Sequence, residues 1–145
     1  MIGMDEEDVT RDYLARGWSV FTDTGFISHA GPFFYRMDGD GPTFAFPTFA
    51  KHVNRNGVLQ GGALMTFCDR ACGATARHLT DSSSTATLTM NTQFVDAVKI
   101  GETVVSTPTM SRATKQLIFM SGVFRVESRI VAVVDGVWKK ILKAG

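Results

Sequence analysis

The chain predicts an α+β fold in which one long buried helix is covered by an antiparallel sheet of about five to six strands. Three observations carry this. Residues 54–79, NRNGVLQGGALMTFCDRACGATARHL, pass from polar residues and glycines into a helical stretch that is apolar almost all round, as a buried helix is. Residues 85–94 alternate, with Ala86, Leu88, Met90 and Phe94 on one side and Thr85, Thr87, Thr89, Asn91 and Gln93 on the other. The connections after that strand are short, which favours consecutive antiparallel strands.

Taken in order, residues 5–17 form a short amphipathic helix. Acidic residues fill its first turn, Val9, Tyr13 and Leu14 make its apolar face, and Gly17 ends it. Residues 18–32 are loop-like, broken by Gly25, Gly31 and Pro32. Residues 33–37 and 43–47 are aromatic and strand-like, joined by the hairpin signal Asp38-Gly39-Asp40-Gly41. Residues 48–59 have no period and form the loop feeding the helix. After Leu79 a polar turn over residues 81–84 leads into four strands. They cover residues 85–94, 102–111, 116–127 and 130–142, with turns at Lys99-Ile100-Gly101 and Ala113-Thr114-Lys115 and the run Val131-Ala132-Val133-Val134 in the last. The expected order is hairpin, helix, four-stranded meander. One domain spans residues 1–145, with an N-terminal helix and loop over 1–32 and the core over 33–145.

At 145 residues, with 44% hydrophobic and 20% charged residues, the composition is that of a soluble globular domain. A formal net charge of +1 and no basic run argue against nucleic acid as a partner. No apolar run approaches membrane-spanning length, and the acidic start MIGMDEEDV has no signal-peptide core. The expectation is a cytoplasmic protein without membrane contact. Cys68 and Cys72 lie one turn apart on a single helix, a poor arrangement for a disulfide, and read as small buried hydrophobes. With only the dispersed His29, His52 and His78, no metal site is expected.

In the middle of the apolar helix stands one carboxylate, Asp69. Its neighbours three and four positions away are Met65, Thr66, Cys72 and Gly73, so no base on its own helix pairs with it, and Arg70 and Arg77 share a different strip. A buried unpaired carboxylate costs several kcal/mol, so Asp69 must bond a distant strand, take up a proton or line a cavity. Gly61-Gly62 opens the helix. Glycine permits close approach to the backbone, and first-turn N–H groups are free to meet an oxygen that is becoming negative. Tight packing of the helix end would equally explain two glycines. Gly61 and Asp69 are roughly 12 Å apart along the helix axis, too far to serve one carbonyl from the same copy. Two antiparallel copies about a twofold axis would bring one Gly61 to the other Asp69, which predicts at least a dimer.

The residues His52-Val53-Asn54, Gly57, Gln60-Gly61-Gly62 and Asp69 also stand at a spacing that resembles a known signature. It is that of the hotdog-fold acyl-CoA thioesterases, in particular the phenylacetate-pathway type, which carry His, Asn and Gly, then His-Gly-Gly, then Asp. The strand and helix order matches as well, over residues 33–142. The departure is Gln60, where this branch usually has His. An amide can donate a hydrogen bond as a His can, but it does not titrate near neutral pH.

The resemblance implies hydrolysis of an acyl- or aryl-acyl-CoA, with coenzyme A as part of the substrate and no cofactor. It implies sites at the subunit interfaces of a homodimer, and dimers paired into a homotetramer. By analogy Gly61 gives its N–H to the thioester oxygen, and Asp69 of the neighbouring subunit is nucleophile or general base. Asn54 places substrate or water, Gln60 points at the thioester, and Thr87 stands where relatives hold the attacking group with a hydroxyl. Gly62, Val58, Leu59 and Met65, with Phe46 and Phe49, surround the acyl group, and His52 holds the loop and could touch the site. Arg112 and Lys115, with Arg125, Lys139 and Lys140, are the candidates for the coenzyme A phosphates. A non-catalytic acyl-CoA-binding hotdog protein is the alternative, favoured by Gln60. A hotdog dehydratase needs a His paired with an acid, and the helix offers only His78, near its end.

Overall fold

In the computed structural model the structure describes residues 4–39 and 41–141. Asp40 of the expected hairpin turn and Leu142 of the expected last strand lie outside them. Helix α1 (Glu6–Ala15) begins at Asp5, whose Oδ1 accepts the Asp8 N–H at 2.8 Å, and stops before Gly17, which adopts φ +90°. Val9 and Tyr13 are buried as expected, but Leu14 is exposed. The segment read as loop contains a short strand, β1 (Ser19–Val20), and one turn of helix, α2 (Phe26–Ala30).

Strands β2 (Phe34–Asp38) and β3 (Gly41–Pro47) form the expected hairpin, with Asp38 opposite Gly41 and Gly39 at φ +53°. Phe34 and Ala45 face one side, where Val9, Tyr13 and Trp18 pack on them. Phe33, Phe44 and Phe46 belong to the main core with the central helix, α3 (Gly61–Leu79). That helix buries Leu64, Phe67, Cys68, Ala71, Cys72, Ala74, Thr75 and Ala76. Full burial of a Leu or Phe contributes about 1.5–3 kcal/mol, so this face anchors the fold. The expectation of burial all round does not hold. Gly61, Met65, Asp69, Gly73 and Arg77, spaced by four, form a row that the sheet leaves half-buried or exposed.

The remaining strands are β4 (Ser84–Phe94), β5 (Thr103–Ser106), β6 (Thr109–Ala113), β7 (Leu117–Val126) and β8 (Arg129–Ile141). Eight strands form one antiparallel sheet among the described residues, in the order β1-β2-β3-β5-β7-β8-β4, with β6 also on β7. Two expectations are corrected, besides the strand count. The strand expected over residues 102–111 is interrupted at Thr107-Pro108, since Pro has no N–H to give the ladder, and its halves meet different parts of β7. The strand over residues 85–94 does not open a meander. It crosses to the far edge and pairs with β8, while β3 takes the place beside β5. One helix held by an antiparallel sheet is the hotdog fold. No helix among the described residues is long and apolar enough to cross a membrane.

The alternation along β4 is also interrupted. Thr87 pairs with Trp138 and Thr89 with Val137, so Leu88 is an extra residue and forms a β-bulge. Before the bulge the odd residues Thr85 and Thr87 face α3; after it the even residues Met90 and Phe94 do. One inserted residue thus switches which parity looks inward. Gly136 on β8 allows this, because a Cβ there would strike Thr89 O and come within 2.9 Å of the Trp138 ring. Gly136→Ala is therefore expected to destabilise the fold by about 1–3 kcal/mol, the usual range for overpacking. Chemical unfolding measures it, and an unchanged midpoint would contradict the account of the bulge.

Candidate functional site

Asp69 is half-buried and meets Thr87, whose Oγ1 donates to Asp69 Oδ1 at 2.6 Å. Sequence spacing puts these two residues together only through the bulge. They line a small cleft of about 160 Å³ with Gly73, Thr85, Arg77 and Trp138. The partner of Asp69 is thus a hydroxyl on the neighbouring strand. Arg70, next in sequence, is taken up by Asp23, which accepts from its Nε and Nη2 at 3.2 Å each, and stacks on Phe21. Arg70 and Arg77, read from the sequence as lying on another strip, both line the cleft of Asp69, Arg77 because two steps of four residues carry one inclined ridge of the helix from Asp69 to it.

The other end of the row forms a second cleft, of about 470 Å³, lined by Asn54, Leu59, Gly61, Leu64 and the segment 94–98. The N–H groups of Gly61 and Gly62 have no acceptor among the described residues, as first-turn donors have none inside a helix. The phenyl ring of Phe94 lies 3.4 Å from where a Gly61 Cβ would be, so it covers that side of the helix start. Segment 94–98 was not foreseen. Its position is set from afar by Leu59 N–H donating to Val98 O at 2.8 Å and by Arg129, whose Nη1 donates to Ala97 O at 2.6 Å.

Gln60 does not simply point outward. It caps α3: its Oε1 accepts the Ala63 N–H at 2.8 Å, and the missing side chain of Gly62 makes room, since a Cβ there would sit 2.8 Å from that oxygen. Its amide nitrogen keeps its donors. Asn54 organises the loop, with Oδ1 accepting from Asn56 N–H at 2.8 Å and Val58 N–H at 3.1 Å. Gly57 at φ +84° completes that turn, a conformation only glycine adopts freely. Val58 is half-buried and bridges to Lys99, and Met65 is exposed on the open row between Gly61 and Asp69.

His52 lies behind the site. It is buried; its Nδ1 accepts the Phe49 N–H at 2.9 Å, so Nε2 carries the proton and donates to Ala30 O at 2.6 Å. Its backbone carbonyl accepts the Gln60 N–H at 2.8 Å, tying the loop to the start of α3. Phe46 is likewise core, edge-on to this ring. Cys68 and Cys72 are fully buried free thiols, and burial raises both pKa values, that of Cys72 to about 12. Neither is a thiolate at neutral pH. Arg112 and Lys115 are exposed near the β6–β7 turn and line neither cleft. Lys140 donates to Thr114 O at 3.0 Å beside them, whereas Arg125 lies toward the other end of β7, facing Val105.

Asp69 and Gly61 therefore line separate clefts of one protomer, as the length of helix between them requires. The edge of β4 beside them is eleven residues long and carries exposed Leu88 and Phe94, with Val95 just beyond.

Residues 56–133 match the family model described as the thioesterase superfamily. No curated protein matches the chain. Among solved structures, a conserved protein of Pseudomonas aeruginosa superposes with a TM-score of 0.72 at 22% identity, over 81% of this chain and 94% of that one. The PaaI protein of the E. coli phenylacetic acid degradation operon gives 0.68 at 16% identity, over 91% and 85%. A hypothetical thioesterase of Streptococcus pneumoniae, solved with coenzyme A, gives 0.67 at 17% identity, over 74% and 86%.

The environment of His52 generates a pH prediction. Burial holds its pKa below the ordinary 6.5, and the Phe49 N–H leaves no room for a second ring proton. The unfolded chain then binds more protons than the folded one as pH falls below 6.5. The stability His52 contributes is full above 6.5 and is lost as pH drops through its lower folded value. Unfolding midpoints measured from pH 8 down to about 5.5 are expected to fall, with a smaller step in His52→Gln. An equal step in that variant would assign the effect to other groups.

Proposed function

The chain belongs to the thioesterase superfamily, and from that premise we propose that it hydrolyses an acyl- or aryl-acyl-CoA to the free acid and coenzyme A. The observation that carries the reading is the 2.6 Å Thr87–Asp69 hydrogen bond on the open row of α3, eight residues from the Gly61 N–H, which has no acceptor among the described residues. The thioester oxygen is received by the Gly61 N–H of one subunit, where developing negative charge meets the positive end of the helix. Asp69 of the other subunit supplies the carboxylate, which attacks the carbonyl carbon or takes a proton from the water that does. Attack by water gives the free acid directly, whereas attack by the carboxylate gives an acyl–Asp69 anhydride that a water then hydrolyses. Either route breaks the C–S bond, and coenzyme A leaves as a thiolate that takes up the proton given up by the water. Thr87 keeps the carboxylate aimed, and the Gln60 and Asn54 amide N–H groups face the thioester or the water.

The two halves come together in a homodimer. The bare edge of β4, with Leu88 and Phe94 exposed, is the kind of long apolar edge that proteins cover. An antiparallel copy laid along it sets each Gly61 against the partner's Asp69. Leu59, Phe94 and Val98, which line the Gly61 cleft, with Val58 and Met65 next to lining residues in sequence, then border the acyl group. The structural likeness to coenzyme A-bound and phenylacetate-operon proteins supports the substrate class.

Thiol release from short, long and aromatic acyl-CoAs tests this. Asp69→Asn is expected to lose about 10³-fold in kcat, within the range of a general base or nucleophile. An undiminished rate would remove Asp69 from the mechanism. Single turnover in ¹⁸O water probes the route. An unlabelled first product, with the label in Asp69, means attack by the carboxylate and opening of the anhydride at the Asp69 carbon, whereas direct attack by water labels the product and leaves Asp69 unlabelled. Mixing Asp69→Asn with Asn54→Ala subunits is expected to restore one intact site per heterodimer, and an active monomer would sink the shared-site geometry. Binding without turnover on every acyl-CoA would support the non-catalytic alternative, with Gln60→His as the variant to restore hydrolysis.

A further inference from the structure

Trp138 on β8 is only 1% exposed, and its indole N–H has no acceptor among the described residues. A buried donor left unpaired costs about 1–3 kcal/mol, so it normally has a partner. The indole meets Gly73 of α3. A Cβ at Gly73 would lie 3.3 Å from Trp138 Nε1 and 3.8 Å from Thr85 Oγ1, so the edge of the indole comes up against the bare backbone of Gly73, closer than a side chain there would comfortably allow. Cα–Cβ bonds on a helix lean toward its N-terminus, and Gly73 is one turn beyond Asp69. The bare side of Gly73 therefore leans toward Asp69, and Asp69, Thr87 and Trp138 line one cleft beside it.

That cleft of about 160 Å³ exceeds the roughly 30 Å³ share of one water, which needs two to four polar partners. The partners are present: the Trp138 N–H, the Thr85 hydroxyl, and Asp69 Oδ2, which has no partner among the described residues while Oδ1 takes Thr87. We infer that the cleft beside Gly73 holds an ordered water that accepts from Trp138 Nε1–H and donates to Asp69 Oδ2, making Trp138 a positioning residue for that carboxylate. The catalytic meaning rests on the function proposed above; the water itself does not. With Thr87 on one oxygen and the water on the other, the carboxylate cannot swing about its χ2 bond. Each oxygen keeps a further lone pair for the reacting group. The same arrangement explains why the helix keeps a glycine in its interior, where alanine is intrinsically better by about 1 kcal/mol.

A crystal structure of the whole protein at a resolution that shows waters is the direct test. A water about 2.7–3.2 Å from both Trp138 Nε1 and Asp69 Oδ2 is expected. No water at that position, or Nε1 bonded to a protein acceptor, overturns the inference. Kinetics test the role. Trp138→Phe removes the donor and keeps most of the ring, and Gly73→Ala presses on the indole edge and narrows the cleft. Each is expected to lower kcat about tenfold with KM unchanged, and the double variant should fall no further than the worse single one. Native mass and circular dichroism establish that the variants fold. A wild-type kcat in Trp138→Phe, a change confined to KM, or losses that multiply would each overturn the positioning role. If the wild type hydrolyses no thioester at all, the proposed function fails, and the crystallographic water alone decides the partner of Trp138.

Discussion

A single sheet can close over only part of a helix, and the arrangement of this protein follows from how that limit is met. Leu64, Phe67, Cys68, Ala71 and Cys72 take the covered side of α3, where close packing with Phe33, Phe46, Ile118 and Phe124 fixes the helix in place. What remains is the row Gly61–Met65–Asp69–Gly73–Arg77. Two of its members have no side chain, one is a carboxylate and one a cation. The packing that stabilises the fold thereby decides which residues are left to do chemistry.

Beside that row runs β4, and its bulge links the sheet to the site. Without the extra residue at Leu88, inward-facing Met90 and Phe94 would require an inward-facing Leu88, with Thr87 turned away. The bulge lets apolar residues meet the lower half of the helix and hydroxyls meet the upper half. Gly136, Gly73 and Gly62 play related parts at three places: each omits a Cβ where the Thr89 carbonyl, the Trp138 indole and the Gln60 amide respectively must pass. These glycines mark close approaches, in contrast to Gly57, which marks a left-handed backbone.

The loop before the helix is fixed from behind. His52, neutral and bonded at both ring nitrogens, joins α2 to the loop, and its carbonyl fixes Gln60 at the helix start. Asn54 closes the turn in front of it. The motif residues thus divide by depth. His52 supports, Asn54 shapes, Gln60 caps, and Gly61 presents an N–H that takes no acceptor among the described residues.

Much of this was legible in the chain itself. Composition and the apolar run identified the central helix, alternation identified strand β4, and the spacing from His52 to Asp69 pointed to the thioesterase resemblance and to the separation of Gly61 from Asp69. Those signals are local, and helix rise and strand period translate them directly into distances. The sheet order was not legible, because nothing in β4 states that its partner is β8, more than forty residues later at Asn91–Asp135. Nor were the bulge, the caps and the segment 94–98, since each is decided by where a distant carbonyl, ring or guanidinium lies. The approach of Trp138 to Gly73 and of Arg77 to the Asp69 cleft belongs to the same class. The sequence by itself determined which residues carry chemistry and how far apart they lie on one helix. Only tertiary packing decided which strand meets that helix and at what register, because pairing depends on surfaces that no local pattern encodes.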